Sequence, residues 1–563
     1  MIALYLNNSR VYPEVGENIK LTQQNPYFSL AGTYTLDVTL PMDIWENRQF
    51  FGSISRMDTA KHARSMECRL TSDGATIMVG LAHITEVTEK TVKVQLEGGN
   101  SEINFLSEEG GAYIDEMDIS PFGTPIAVWF ETVNATFDGW KAINLVSLIE
   151  FVIYACGFHI TENLLNRTPW NRIYCVPKDA SDIVSNQLPH WKASEFLQQV
   201  SRLFNVTFAA DSLTHTVRIV SNREYVSSAA VTTLEPVDEY KAEISQEGDT
   251  PEVMALSNAN LRYSLSDSEF HDIDCIPDDA RKALQKREYD SYAQLLAAWQ
   301  AMDVTERKRY IFVCPQGCYA SWVREPMWHD EQQQERLTYI DCFRPLVRDG
   351  SSEEYTELKI VPVAIRQAYK EYHTGPNEYL WRYQLCPSTS GSDNGLRYNE
   401  LGEDPTPQTV QEAVTEGVET EENESKDDCI EIVFRDWNME HVWRQDEKVS
   451  WGNHTTEQLK WAAFFTDWKL KRGIFSDTPS NRDSLSLNPT DADHYIGELH
   501  QNPYSLNMDA RHVFQFLSDT MPDPTNIFHI RGKRYFCEKI ETNIRDGQID
   551  RLMTGYFYEL LES

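Results

Sequence analysis

Basic side chains are scarce in this 563-residue chain: 51 lysines and arginines stand against 87 aspartates and glutamates, a formal net charge of -36. A nucleic-acid reader gathers Lys and Arg to displace counterions from phosphates, so this balance argues against stable nucleic-acid binding. An acidic wall would instead keep a passing polyanion from sticking, although high charge also serves plain solubility. Cysteine is sparse as well. Ten cysteines in a chain of this length do not make a disulfide scaffold. Cys314 and Cys318, in IFVCPQGCYASW, form the single close pair, and a zinc site there would need two further ligands nearby. No stretch approaches eighteen consecutive apolar residues, so no transmembrane helix is expected. The opening MIALYLNNSRVYP has neither the basic nor the long apolar region of a secretory signal, which points to synthesis and folding in the cytoplasm.

Catalytic signatures are missing too. There is no Gly-rich phosphate loop with Lys-Ser/Thr, no His-Glu-x-x-His helix, no Gly-x-Ser-x-Gly elbow and no paired Cys-x-x-Cys set. Asp491, Asp493 and His494, with His500 nearby, are the best metal-like grouping, but their spacing matches no ligand arrangement. We therefore expect no enzyme activity, no catalytic residue, no metal and no cofactor. Paired carboxylates for polysaccharide hydrolysis announce themselves by geometry rather than spacing, so a cell-wall or polysaccharide-degrading enzyme stays as the alternative.

What is present is a folded, aromatic-rich chain: 41% hydrophobic residues, 11% aromatics and fourteen tryptophans. Its length calls for three to five domains. The organising stretch is Ala142 to Val220, where helix, break and strand occur twice. Ile143, Val146, Ile149, Val152, Ile153 and Cys156 fall at helical spacing, and Gly157 supplies the positive φ that ends the helix before Phe158 to Ile160. In the second copy Ser194 is placed to cap EFLQQVSRLF, Asn205 breaks the helix, and Val206 to Phe208 and Thr216 to Val220 form a hairpin.

The fold class read from the pattern is α+β and multidomain, with β-barrel or sandwich domains combined with helix-strand modules. Residues 1–120 read as a barrel or sandwich, 121–225 as the repeated module, and 226–302 as a mixed segment ending in a helix over 290–302. A second β-rich domain follows over 303–386. Residues 387–428 read as an acidic flexible loop, because 400–428 carry eleven acids against Lys426 alone and cannot bury enough apolar surface to order. The last domain, 429–563, is α+β and closes on a hairpin around Arg531-Gly532-Lys533.

Two surfaces stand out. In NPYFSLAGTYTLDVTLP, alternation sends Tyr34, Leu36, Val38 and Leu40 to the core and leaves Thr33, Thr35, Asp37 and Thr39 as a candidate subunit-interface strand. In WAAFFTDWKL, read as part of a helix over 457–470, Trp461, Phe464, Phe465 and Trp468 form a candidate partner-docking patch.

The order of the Ala142–Val220 repeat after a β-rich N-terminal region, together with the closing hairpin at Ile530 to Ile540, resembles the baseplate hub and tail-tip proteins of tailed phages and contractile injection machines. The resemblance is architectural, spans about two thirds of the chain and rests on loose motifs. It implies a structural protomer of the virion tail, assembled in the host cytoplasm. It further implies a homo-oligomer, trimeric in that family, that caps the tail tube and contacts tube, distal tail or fibre proteins. DNA would pass in transit only. A receptor-binding or adhesion module is a further alternative.

Overall fold

The computed structural model describes residues 2–103 apart from 30–31, 36, 57–64, 73 and 102, then 113–117, 130–133, 140–175, 188–238, 241–244, 260–264, most of 285–387, 429–436, 463–465, most of 483–501, and 504–562 apart from 546–547. The expected acidic loop, from 388 onward, lies outside the described residues. The chain is α+β and multidomain, with several sheets and a few helices.

One sheet of fifteen strands dominates. Its first half is a meander in which Ile2–Leu6, Met66–Ser72, Ala75–Val87 and Thr91–Gly98 pair antiparallel in turn. Alternation is regular where one face is buried: along Thr91–Gly98 Val92, Val94 and Leu96 are fully buried while their neighbours are half-exposed. Helix α1, Trp45–Phe51, packs beside this half. The second half comes from the far end of the chain, where Lys533–Arg545 pairs with Leu552–Glu562, which pairs with Tyr504–Leu517.

The halves meet where Ile19–Gln24 runs antiparallel to Lys533–Arg545, from Ile19 opposite Ile544 to Gln24 opposite Lys539. The expected first and last domains therefore share a single sheet. The expected barrel does not close among the described residues: the sheet ends at Lys241–Ile244 on one side and Ser9–Val11 on the other. The strands of 303–386 likewise form no closed barrel there. They lie in small sheets, one joining Gln285–Glu288, Tyr310–Cys314, Gly317–His329 and Gln332–Phe343, another pairing Ile365–Gly375 with Glu378–Pro387.

The helix-strand repeat forms as its sequence dictates. Helix α2, Leu145–Ala155, is capped by Asn144, whose Oδ1 accepts the Ser147 N–H at 3.1 Å, so Ile143 belongs to the preceding strand rather than to the helix. Gly157 has φ 84° and Asn205 φ 50°, the left-handed conformations that stop α2 and α3. Helix α3 spans Ala193–Phe204 and begins after Lys192 with no side-chain cap, so Ser194 is a buried residue of its first turn and not its cap. Strand His159–Asn163 then lies parallel to Thr216–Ser221, which pairs with Val206–Asp211. The largest core gathers around α2 and α3, with Phe158, Phe196, Phe204 and Phe208 at most 1% exposed.

Two buried asparagines fix this module to the large sheet. Asn100 donates to Phe208 O at 2.6 Å and accepts the Ala210 N–H at 2.9 Å. Asn25 is fully buried and has six partners. Its Nδ2 donates to Pro524 O (3.0 Å) and Cys537 O (2.9 Å), and its Oδ1 accepts from the Tyr27 N–H and the Tyr225 hydroxyl, both at 3.0 Å. Its backbone N–H donates to Glu538 O (2.9 Å), and its carbonyl accepts the Phe28 N–H (3.0 Å). Tyr225 lies on helix α4, Asn222–Ser227, and packs with Tyr27, Phe28, Phe536 and Tyr558 in an aromatic cluster over the seam.

Removing a buried group that serves several partners costs more than removing one of its donors. We expect Asn25→Ala to lower stability by about 2–4 kcal/mol and Tyr225→Phe by about 1 kcal/mol. Equilibrium urea unfolding followed by intrinsic fluorescence measures both; equal losses would mean that Asn25 is not the shared node.

Candidate assembly surface

The strand expected to meet a neighbour is interrupted. Thr33–Thr35 and Val38–Pro41 both pair with Thr91–Gly98, but the register slips by one residue between them: Tyr34 stands opposite Glu97, and Val38 opposite Val94. An extra residue in one strand turns the following side chains to the other face. Thr35 is accordingly fully buried, and its Oγ1 accepts the Leu96 N–H at 3.1 Å. Tyr34, assigned to the core by alternation, is half-buried, while Val38 and Leu40 are fully buried as expected. Asp37 is exposed and accepts the Thr85 hydroxyl at 2.7 Å, and Thr39 is half-buried. The Thr33 side chain lies outside the described residues. The four positions thus do not share one surface.

Both carboxylate oxygens of Glu17 accept the Thr39 N–H, at 2.9 and 3.0 Å. Burial raises the Glu17 pKa, the Thr39 hydrogen bonds oppose that rise, and the neighbouring charges of Glu14 and Asp37 add to it. Lys93, paired with Glu86, is the cation nearby.

The aromatic patch differs from its expectation in secondary structure. Ala463–Phe465 is a strand paired with Ile430–Asp436, with Phe465 opposite Phe434 and Phe464 opposite Arg435, where a helix was expected. The side chains of Phe464 and Phe465 lie outside the described residues. Trp461 and Trp468 lie outside the described residues. Of the acid-histidine grouping, Asp491 and Asp493 do too. His494 is exposed on a short strand, while His500 is buried with its Nε2 2.9 Å from Leu203 O, which ties it to α3. Among the described residues no three His, Cys, Asp or Glu side chains gather as metal ligands would. Cys314 is buried and stands opposite Gly317 in its hairpin.

Sequence reasoning missed the outward face of the seam. There Lys20 contacts Glu541 at 2.9 Å, Lys539 contacts the same carboxylate at 2.9 Å, and Lys539 Nζ lies 4.5 Å from the Tyr556 ring centre. The Arg511 guanidinium also sits over that ring, 5.1 Å from its centre, with its Nε donating to Glu243 at 2.9 Å. Tyr556 is thus flanked by two cations, and each cation is held by a carboxylate. Burial pushes the Glu541 pKa up, but hydrogen bonds from Lys20 and Lys539 outweigh it and hold the group below the ordinary carboxylate value. Burial pushes Tyr556 up to about 12, helped by Glu541.

Toward the sheet end the face turns apolar. Leu517 and Leu552 are register partners, 58% and 41% exposed, and Val237, 54% exposed, joins the same strand through its N–H to Gln515 O. An apolar patch thus lies beside a charged stripe, on a strand that pairs with Lys241–Ile244, where the sheet ends among the described residues.

No protein-family model matches the chain, and no curated protein matches it. Among solved structures it is similar to a 43 kDa tail protein of prophage MuSo2 from Shewanella oneidensis, at 8% identity and a TM-score of 0.33 over 99% of this chain and 97% of that one. It is similar also to a tail protein from Neisseria meningitidis MC58, at 6% identity and a TM-score of 0.33 over 99% and 95% of the two chains. Overlap this slight decides neither fold nor function.

Glu538 bulges from Lys533–Arg545 beneath this face, where the register slips between Cys537 and Lys539. Burial raises its pKa, and Arg511, 3.6 Å from its Oε2, opposes the rise. A carboxyl with a raised folded-state pKa binds its proton more tightly when folded, so its contribution to stability is lost as pH climbs from the unfolded carboxylate value through the folded one. His512 has the opposite shift: burial holds its pKa below the ordinary histidine value, so its contribution is lost as pH falls through the histidine range. We expect Glu538→Gln to remove the loss above the carboxylate range and leave the loss at the acid side. Urea midpoints of both proteins across mildly acidic to neutral pH measure this; parallel profiles would refute it.

Proposed function

We propose that the chain is a structural component of a phage tail tip or baseplate, a hub protomer that caps the tail tube and forms a ring through which DNA passes. The observation that carries this reading is the fifteen-strand sheet, sewn from both ends of the chain and, among the described residues, ending in two unpaired edges. Open edges and an ordered charged-aromatic face offer backbone and side-chain pairing to neighbouring subunits. The helix-strand repeat and the closing hairpin, in the order the tail-tip resemblance calls for, support the same reading. Arg531 and Gly532 make that hairpin with φ of 50° and 80°, the left-handed pair that a two-residue turn demands.

The mechanism is mechanical. Identical protomers meet through two different patches, because a closed ring with more than two members needs heterologous contacts. The sheet gives each protomer a rigid body, the packed helix-strand module braces one side, and the acidic balance repels DNA in transit. Assembly from identical copies, three in the resembling family, follows. Native mass spectrometry of the purified chain is expected to give a closed oligomer, with a ring in negative-stain images. A monomer at all concentrations, or turnover of peptidoglycan or another polysaccharide in a zymogram, would overturn the proposal.

A further inference from the structure

The large sheet has a further edge, off its main run. Val231–Leu234 lies parallel to Ile527–Ile530, from Val231 opposite Ile527 to Leu234 opposite Ile530, and pairs with no other strand among the described residues. The Ile527 N–H donates to Ala230 O at 2.8 Å. Each strand of a parallel ladder bonds through alternate residues, so from that bond onward Ala230, Thr232 and Leu234 turn their backbone groups toward Ile527–Ile530. Val231 and Thr233 therefore turn their N–H and C=O groups outward. Both residues are exposed, Val231 at 58%.

Natural sheet edges are blunted by charge, by proline or by cover. Ser9–Val11 carries Arg10, and Lys241–Ile244 carries Lys241 and Glu243. Val231–Leu234 reads VTTL, β-branched at its first three positions, with no charge and no proline. The charge comes just past its end, where Glu235 is exposed and has no base paired with it among the described residues. We propose that Val231–Leu234 receives an extended segment of a different polypeptide, which adds as a further strand through the outward groups of Val231 and Thr233 and sets a lysine or arginine against Glu235. A second copy is the poorer occupant. Its own Val231–Leu234 brings another acid, and the cations of its other two edges are engaged, Lys241 with Glu243 at 2.8 Å and Arg10 over the Tyr12 ring. The inference deepens the assembly reading above, which supplies neighbouring tail proteins as the source of such a segment, and it is separate from the contacts that close a ring.

The probe is a fluorescein-labelled peptide, Lys-Thr-Val-Thr-Val-Thr-Lys, blocked at both ends and titrated with the full chain by anisotropy. Saturable binding is expected, weakened about tenfold by Thr233→Pro and several-fold by Glu235→Lys. Proline at 233 removes an outward N–H and no bond to Ile527–Ile530, so the urea midpoint is expected to stay near the parent's, whereas Thr232→Pro removes a ladder bond and lowers it. Absence of saturable binding, or binding unchanged by Thr233→Pro, overturns the strand site, and a ring in native mass spectrometry then leaves the hub reading standing. Thr233→Pro as destabilising as Thr232→Pro overturns the outward assignment. Self-association lost in Thr233→Pro makes a second copy the occupant and overturns the foreign strand. A monomeric parent that still binds the peptide overturns the hub reading alone.

Discussion

Everything in the large sheet depends on one antiparallel seam between Ile19–Gln24 and Lys533–Arg545, strands more than five hundred positions apart. Bringing such distant segments together costs loop-closure entropy, though that cost grows only slowly with length. It is offset locally by density of contact. Asn25, just past the end of Ile19–Gln24, joins its side-chain amide to Cys537 on Lys533–Arg545, to Pro524 and to Tyr225 on α4, so one residue fixes the seam and the bracing module at once. Four aromatic rings close over it, with Tyr27 and Phe536 edge-to-face at 5.0 Å and Phe28 stacked on Tyr558 at 5.5 Å.

From that constraint the surface chemistry follows. A seam strand with its inner face in the core must present its other face outward, and the residues there are Lys20, Lys539 and Glu541 rather than isolated charges. Exposed ion pairs contribute little singly. Joined through the Tyr556 ring to Arg511 and Glu243, they form an ordered stripe whose side chains have already lost much of their rotamer freedom. A partner that lands on an ordered stripe has less entropy to overcome than one that must order it. The Leu517 and Leu552 pair, left exposed at the same sheet end, adds the apolar part of such a contact.

Local features were legible in the sequence where one residue type has one physical use. Gly157 and Asn205 stop helices because the left-handed conformation admits few residues, and the Arg531-Gly532 turn follows for the same reason. Periodicity alone was weaker. Strict alternation assigns Thr35 outward, but the one-residue slip between the Tyr34 and Val38 pairings leaves it inward, and nothing in TYTLDVTL marks a bulge. WAAFFTDWKL has apolar spacing that fits a helix, yet Ala463–Phe465 pairs with Ile430–Asp436, because a strand already buried in a sheet offers partners that local propensity cannot weigh. Ser194 has the right chemistry for a cap and stands inside the helix instead. The candidate surface was hidden for a different reason. Arg511, Glu538 and Tyr556 lie on three strands and look unremarkable until the seam sets them side by side.

The seam also orders events in time. Ile19–Gln24 is made well before its partner Lys533–Arg545, with more than five hundred residues synthesised between them. Until then one side of that strand is an unpaired edge, the kind that invites pairing with another chain. Its exposed alternation, with Lys20 on the outer face, blunts that tendency. A second consequence concerns assembly. The Leu517, Tyr556 and Arg511 face does not exist before Leu552–Glu562 has paired on both sides, so a surface built from these strands is offered to neighbours only by a finished protomer. The same closure that completes the sheet therefore also builds this face, so the stability of the one and the existence of the other rest on the same strand pairings.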